Sequence, residues 1–150
     1  MIELSKRLVE LVSRTERDFA GLRDAETSQP AISGGWSRKQ ILGHLIDSAS
    51  NNHQRFVRAL LQDELHWPSY EQQGCVRVQR YQELSWSDLL GLWASYNRFL
   101  AHILAGVPEA KRATPCFIGQ NPLLTLEELA ADYLVHMQHH LEQLAAKSRT

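Results

Sequence analysis

The sequence predicts an all-α protein built as a four-helix bundle. Four long stretches carry apolar residues at spacings of three and four. Two of them open with a residue pattern that caps helix starts. Two lengthy connections separate them, which suits a bundle whose ligand sites lie on facing helices. At 150 residues the chain is expected to form a single domain, 1–150, able to bury a core without disulfides or a structural metal.

The first helix is expected over roughly residues 2 to 24, where Leu4, Leu8, Leu11, Val12, Thr15, Phe19 and Leu22 recur on one face. Pro30, Gly34 and Gly35 in "TSQPAISGG" then break the pattern. The second helix spans about 37 to 63. Ser37 and Gln40 form an S-x-x-Q capping box at its start. Ile41, Leu45, Ala49, Asn52, Phe56 and Ala59 trace its inner face, and Pro68 closes the region after it. Residues 64–84, "ELHWPSYEQQGCVRVQRYQEL", form a long connection between helices two and three, rich in aromatics and short of helical pattern. A loop of this length often covers a pocket. The third helix starts near Ser85 and ends before Gly106 and Pro108, with Leu89, Trp93, Tyr96, Leu100 and Ile103 as its stripe. "ATPCFIGQNPLL" reads as a second irregular segment with a short two-strand turn. Thr125 and Glu128 cap the fourth helix, which runs to about Ala146.

Composition excludes several classes of function. Hydrophobic residues make up 43% and charged residues 22% of the chain, as in soluble globular proteins. A net charge of −1 argues against nucleic acid as a partner, since phosphate binding needs a basic surface. No apolar run reaches the length of a membrane span, so no membrane partner is expected. "MIELSKRLVELV" lacks the unbroken apolar centre of a signal peptide. Cys75 and Cys116 read as reduced thiols in a cytoplasm, and cytoplasmic localisation is the expectation.

The stretch "DYLVHMQHHLEQL" concentrates the chemistry. With ~100° per residue, Leu126, Ala130, Tyr133, Met137, Leu141 and Leu144 define the buried centre of helix four. His136 and His140 flank that centre one turn apart, while His139 points toward solvent. Two imidazoles at i and i+4 can converge on one ion. The residue after His136 is Met137, not the glutamate of an H-E-x-x-H peptidase, so a zincin-type protease is not expected. On helix two, His44, Ser48, Asn51 and Arg55 form a polar strip that supplies a third imidazole. Three neutral imidazoles leave coordination positions open, as in a catalytic site. Asp47 and Asp132 are placed to orient His44 and His136 from behind, although for Asp132 a surface acid is the simpler reading. No partner is assignable to His53, His66 or His102. Neither cysteine sits in a pattern that marks a nucleophile, and Trp36, Trp67, Trp86 and Trp93 read as core and pocket wall.

"GGWSRKQILGHLIDSASNNHQRF" followed by "DYLVHMQHHLEQL" resembles the DinB/YfiT-like superfamily of small metal-binding four-helix bundles. That family pattern has a tryptophan and a helix cap before a histidine in helix two, then an H-x-x-x-H near the C-terminus. Trp36, Ser37, His44, His136 and His140 match it, and the likeness spans most of the chain. Cys75 stands where the pattern has an aromatic, often tryptophan. The resemblance implies an up-down-down-up bundle, often a homodimer, holding one divalent ion such as zinc or nickel. Relatives are described as metal-dependent hydrolases and thiol-dependent S-transferases or isomerases, and some have no known activity.

The expected function is therefore a metal-dependent enzyme, a hydrolase or a thiol S-transferase, with His44, His136 and His140 as metal ligands. Its partner would be a small-molecule substrate, a thiol among the options. Asp47, Asn51 and Arg55 are candidate catalytic residues. Asn51 and Arg55 would orient a polar or carboxylate-bearing substrate, and Tyr70 and Tyr81 would wall the pocket. The alternatives are a non-catalytic dimeric module that holds metal or a small ligand, and a metal-free scaffold.

Overall fold

The computed structural model describes residues 1–30 and 35–146. Four long helices form the frame: α1 (Ile2–Phe19), α3 (Arg38–Leu61), α5 (Trp86–Ala105) and α6 (Leu126–Ala146). Two short helices, α2 (Asp24–Thr27) and α4 (Gln72–Val78), and a small sheet lie in the connections. Gly34, read above as part of the break after α1, lies outside the described residues.

The frame closes as a ring in which α1 packs on α5, α5 on α3, α3 on α6, and α6 on α1. Ser5 Oγ on α1 donates to Ala101 O near the end of α5 at 2.7 Å. Trp86 Nε1, at the start of α5, donates to Phe19 O at 2.8 Å. Arg38 Nε at the start of α3 donates to Leu144 O near the end of α6 at 3.2 Å. The Met1 amine lies 3.8 Å from Glu127 at the start of α6.

The core is continuous, from Leu8 and Val12 on α1 through Leu45, Phe56, Trp93 and Leu100 to Tyr133 and Met137. Burying these side chains is the main favourable term in folding.

Both capping boxes are formed. Ser37 Oγ accepts from Gln40 N at 3.2 Å while Gln40 Oε1 accepts from Ser37 N at 2.9 Å. Thr125 and Glu128 make the equivalent pair at 3.2 and 2.8 Å. These bonds satisfy amide donors that have no partner within the helix, and they fix where each helix begins.

Three expectations need correction. The first helix ends at Phe19, not near residue 24, and Asp24 opens α2 instead. Asp24 has a tertiary role: its carboxylate accepts from Trp86 N at 2.8 Å and pairs with the buried Lys39 ammonium at 2.7 Å. It thereby ties the starts of α3 and α5 together. The segment 64–84 is not short of helix, since it contains α4 and a single 3-10 turn, Tyr81–Glu83. Finally, the chain is mostly helical but not purely α.

β1 (Leu65–Trp67) pairs in parallel with β2 (Pro115–Ile118), and β2 pairs antiparallel with β3 (Leu124–Thr125). The two-strand turn is thus present, and the aromatic-rich connection adds a third strand to it. β3 runs directly into α6, so the strand pairing Pro115↔Thr125 sets the phase at which α6 starts. Among the described residues, no helix is long and apolar enough to cross a membrane.

α3 is the central element. From Arg38 to Ala49 every residue except Gln40 is buried, on all sides of the helix. α5 and α6 cover two sides, and α4 with the 3-10 turn covers another. The approach of Tyr81 is so close that a Cβ on Gly43 would lie 2.1 Å from its ring. Arg80, at φ +54, makes the left-handed turn that brings Tyr81 back onto α3.

Candidate metal centre

His44 is fully buried on the inner side of α3, and His136 and His140 stand half-buried one turn apart on α6. The two helices bring one ring nitrogen from each residue within 4.8 Å of the others. His44 Nε2 and His136 Nε2 face each other at 3.1 Å. Ring centroids are 4.6 Å apart for His44–His140 and for His136–His140. Tetrahedral bonds of about 2.0–2.1 Å to a shared ion would hold two nitrogens about 3.3 Å apart, close to the spacing seen. The donor set fits the group. Imidazole suits zinc and nickel alike.

The cluster is electrically neutral. Burial, then the adjacent His140 and His136, holds the His44 imidazole down to about 3. Burial, then His140, holds His136 down to about 4, with Asp132 opposing. Burial also lowers His140. Neutral imidazoles present lone pairs, the form a metal requires. Gln143 orients His140: its Oε1 lies 3.0 Å from His140 Nδ1, while its Nε2 lies 2.8 Å from His139 Nε2. A bond from Nδ1–H to this oxygen leaves Nε2 as the free acceptor. The sequence reading overlooked Gln143, although its place one turn beyond the histidine pair is visible in the sequence. Ser48 Oγ lies 3.5 Å from His136 Nδ1. Trp36 leans on His44 with ring centroids 5.0 Å apart. His139 is exposed, as its position on the helix predicted.

Asp132 is exposed, in keeping with its reading as a surface acid, whereas Asp47 does not stand behind His44. Asp47 is buried, but its Oδ1 accepts from Tyr81 Oη at 2.6 Å and from Gln79 Nε2, not from His44. Its Oδ2 is buried without a partner among the described residues, and burial raises its pKa. Asn51 bonds back to the Asp47 carbonyl at 2.9 Å. Arg55 behaves differently. It lines a cavity of about 150 Å³ that includes His136, Ser48, Asn52 and Tyr70, and neither Asp47 nor Asn51 is among the lining residues. Tyr70 therefore walls the cavity as expected. Tyr81 does not; it holds Asp47 and borders a separate surface hollow with Trp36.

Three relatives in bacteria share sequence with most of this chain. One from Bacillus pumilus is 24% identical over 138 residues, 92% of this chain and 79% of the relative. Another, from Geobacillus thermodenitrificans, is 26% identical over 136 residues, 90% and 76%. YfiT of Bacillus subtilis is 22% identical over 143 residues, 95% and 80%. All three carry names that place them provisionally among metal-dependent hydrolases. The solved structure of YfiT, described as a probable metal-dependent hydrolase with an unusual four-helix bundle topology, superposes with a TM-score of 0.86 at 20% identity. It covers 98% of this chain and 85% of YfiT. At that identity the likeness establishes the four-helix-bundle fold. The sequence pattern of the DinB superfamily matches residues 7–144, and this chain belongs to that superfamily.

Proposed function

We propose that the chain is a metal-dependent enzyme that binds one divalent ion through His44, His136 and His140. The observation that carries this reading is the convergence of three neutral imidazoles from two facing helices. The names of the relatives point the same way. A divalent ion held by three imidazoles supplies Lewis acidity, which lowers the pKa of a bound water or thiol. The chain's own residues do the rest. α3 and α6 hold the imidazoles in position, Gln143 fixes the His140 tautomer, and the cavity beside His136 receives the substrate. Among the described residues that line the cavity, Asp132 is the one carboxylate, and it is exposed at the rim. A thiol that brings its own nucleophile demands less of these residues than a water does, so thiol transfer is favoured over hydrolysis.

The end-to-end helix pairings support the up-down-down-up order, with the chain acting as one domain. A homodimer with a small-molecule substrate in the cytoplasm completes the reading. The alternative is a non-catalytic module that holds metal or a small ligand. Protein stripped with a chelator and reloaded with zinc or nickel should turn over thiol-transfer or amide substrates, and His44→Ala should not. Loaded protein inert to both substrate classes would favour the module.

A further inference from the structure

Arg55 is 91% buried. Among the described residues no carboxylate lies within 4.0 Å of its guanidinium. Its Nη1 donates to Asn52 Oδ1 at 3.4 Å, and its Nε is buried without a partner among the described residues. A buried cation with an unmatched donor is costly and survives where something compensates it. Burial pushes the guanidinium below its ordinary value, and Tyr70 and Asp132 push it back up. Arginine nonetheless stays charged at any ordinary pH.

The cationic group connects to the imidazole cluster through a polar chain. Ser48, Asn52 and Arg55 follow one another along one face of α3. Asn52 Nδ2 donates to Ser48 O at 2.9 Å and lies 3.4 Å from Ser48 Oγ. That hydroxyl lies 3.5 Å from His136 Nδ1. Arg55 and His136 thus line one cavity of about 150 Å³, with the Tyr70 hydroxyl, also a donor, beside them. Burial first keeps Tyr70 protonated, raising it to about 12. The cavity is open to solvent on one side and is of a size to take a small polar group. Asp132 at its mouth repels a second negative charge.

We propose that this cavity is a carboxylate subsite: Arg55 anchors a singly charged carboxylate of a small substrate whose other end reaches the imidazole cluster. The proposal deepens the metal-centre reading and rests on it only for where the reacting end lies. A carboxylate matches the planar fork of arginine. It also carries one charge, where phosphate at neutral pH carries more.

The test is NMR of the arginine Nε–H signals in the metal-free and the zinc-loaded protein, with acetate, acetamide and inorganic phosphate as probes. Acetate should shift the Arg55 Nε–H signal saturably in both forms. Acetamide should not, and phosphate should bind more weakly than acetate. With acetate binding in the variants read from the backbone amide signals of Ser48, Asn52 and His136, which line the same cavity, Arg55→Gln should weaken it at least about tenfold, the loss of a charged hydrogen bond, while zinc stoichiometry stays the same. Arg55→Lys should keep the charge and lose the fork, and so fall between. Acetate binding that is unchanged in both Arg55 variants, or present only when zinc is loaded, would overturn the proposal. Tighter phosphate binding, or no saturable acetate binding by the native protein, would overturn it as well. Acetate binding in a protein that takes up no zinc would instead sink the metal reading and leave the carboxylate subsite standing.

Discussion

His139 and His140 are neighbours in sequence and share one partner, the Gln143 amide, yet only His140 turns its ring to His44 and His136. His136→Ala and His140→Ala should therefore strongly reduce metal content, while His139→Ala leaves it nearly unchanged. Gln143→Leu removes the acceptor that orients His140 and should lower metal affinity by about 10–100-fold, the usual cost of losing such a partner. Elemental analysis and metal titration of the four variants check both expectations. The same imidazoles make the metal-free protein acid-sensitive. Their folded values, about 3 for His44 and about 4 for His136, lie below the 6.5 of an exposed histidine. As pH falls below 6.5 the unfolded chain takes up protons that the folded chain refuses. Their contribution to stability is complete above pH 6.5 and is lost progressively toward pH 3–4. Asp47, raised by burial, acts in the opposite direction, as one group against the three lowered imidazoles. Urea melts of chelated protein at pH 7 and pH 4.5 should show the loss, and a His44→Gln, His136→Gln double variant should show a shallower dependence.

α3 shows how far the sequence could be read at the level of an element. Its cap, its length and the stripe from Ile41 to Ala59 were legible, because a capping box and a 3.6-residue period are local signals. Its burial on every side was not. Local periodicity says which face is apolar, but it does not say that α4 and the 3-10 turn cover the other one. For the same reason His44, Ser48, Asn51 and Arg55 could be read as the flank of a helix, whereas the buried polar row is His44, Ser48, Asn52 and Arg55, with Asn51 only half-buried beside it. Asp47 does not stand behind His44, because i, i+3 spacing does not report a partner brought in from residues 79–81. The clustering of His44, His136 and His140 was legible because these histidines flank apolar stripes on two helices that a bundle must bring face to face. Gly43 marks the tightest contact of α3. Gly43→Ala would drive a methyl group into the Tyr81 ring, where overpacking costs about 1–3 kcal/mol. The expected result is lower stability in denaturant titration, with a Tyr81 ring displaced from Asp47. An unchanged midpoint would show that α4 and the 3-10 turn yield freely.

For the molecule as a whole, the core and the proposed metal centre are expected to be separable. The three histidines lie beside a continuous apolar core built from all four long helices. Chelated protein should keep its helical far-UV circular dichroism and melt cooperatively. At a metal concentration about 100 times the dissociation constant, preferential binding to the folded state adds about 2.7 kcal/mol. For a chain of this size that raises Tm by roughly 5–10 °C. Loss of helical signal on chelation at room temperature would instead make the metal structural. The central claim is that three imidazoles from two helices hold one ion, and metal titration into stripped protein at neutral pH tests it most directly, with native and His44→Ala chains side by side. The account predicts one zinc or nickel ion per native chain and a large loss of affinity in the variant, with the helical spectrum retained. A native chain that takes up no ion, or a His44→Ala chain that binds as tightly as the native one, would contradict it.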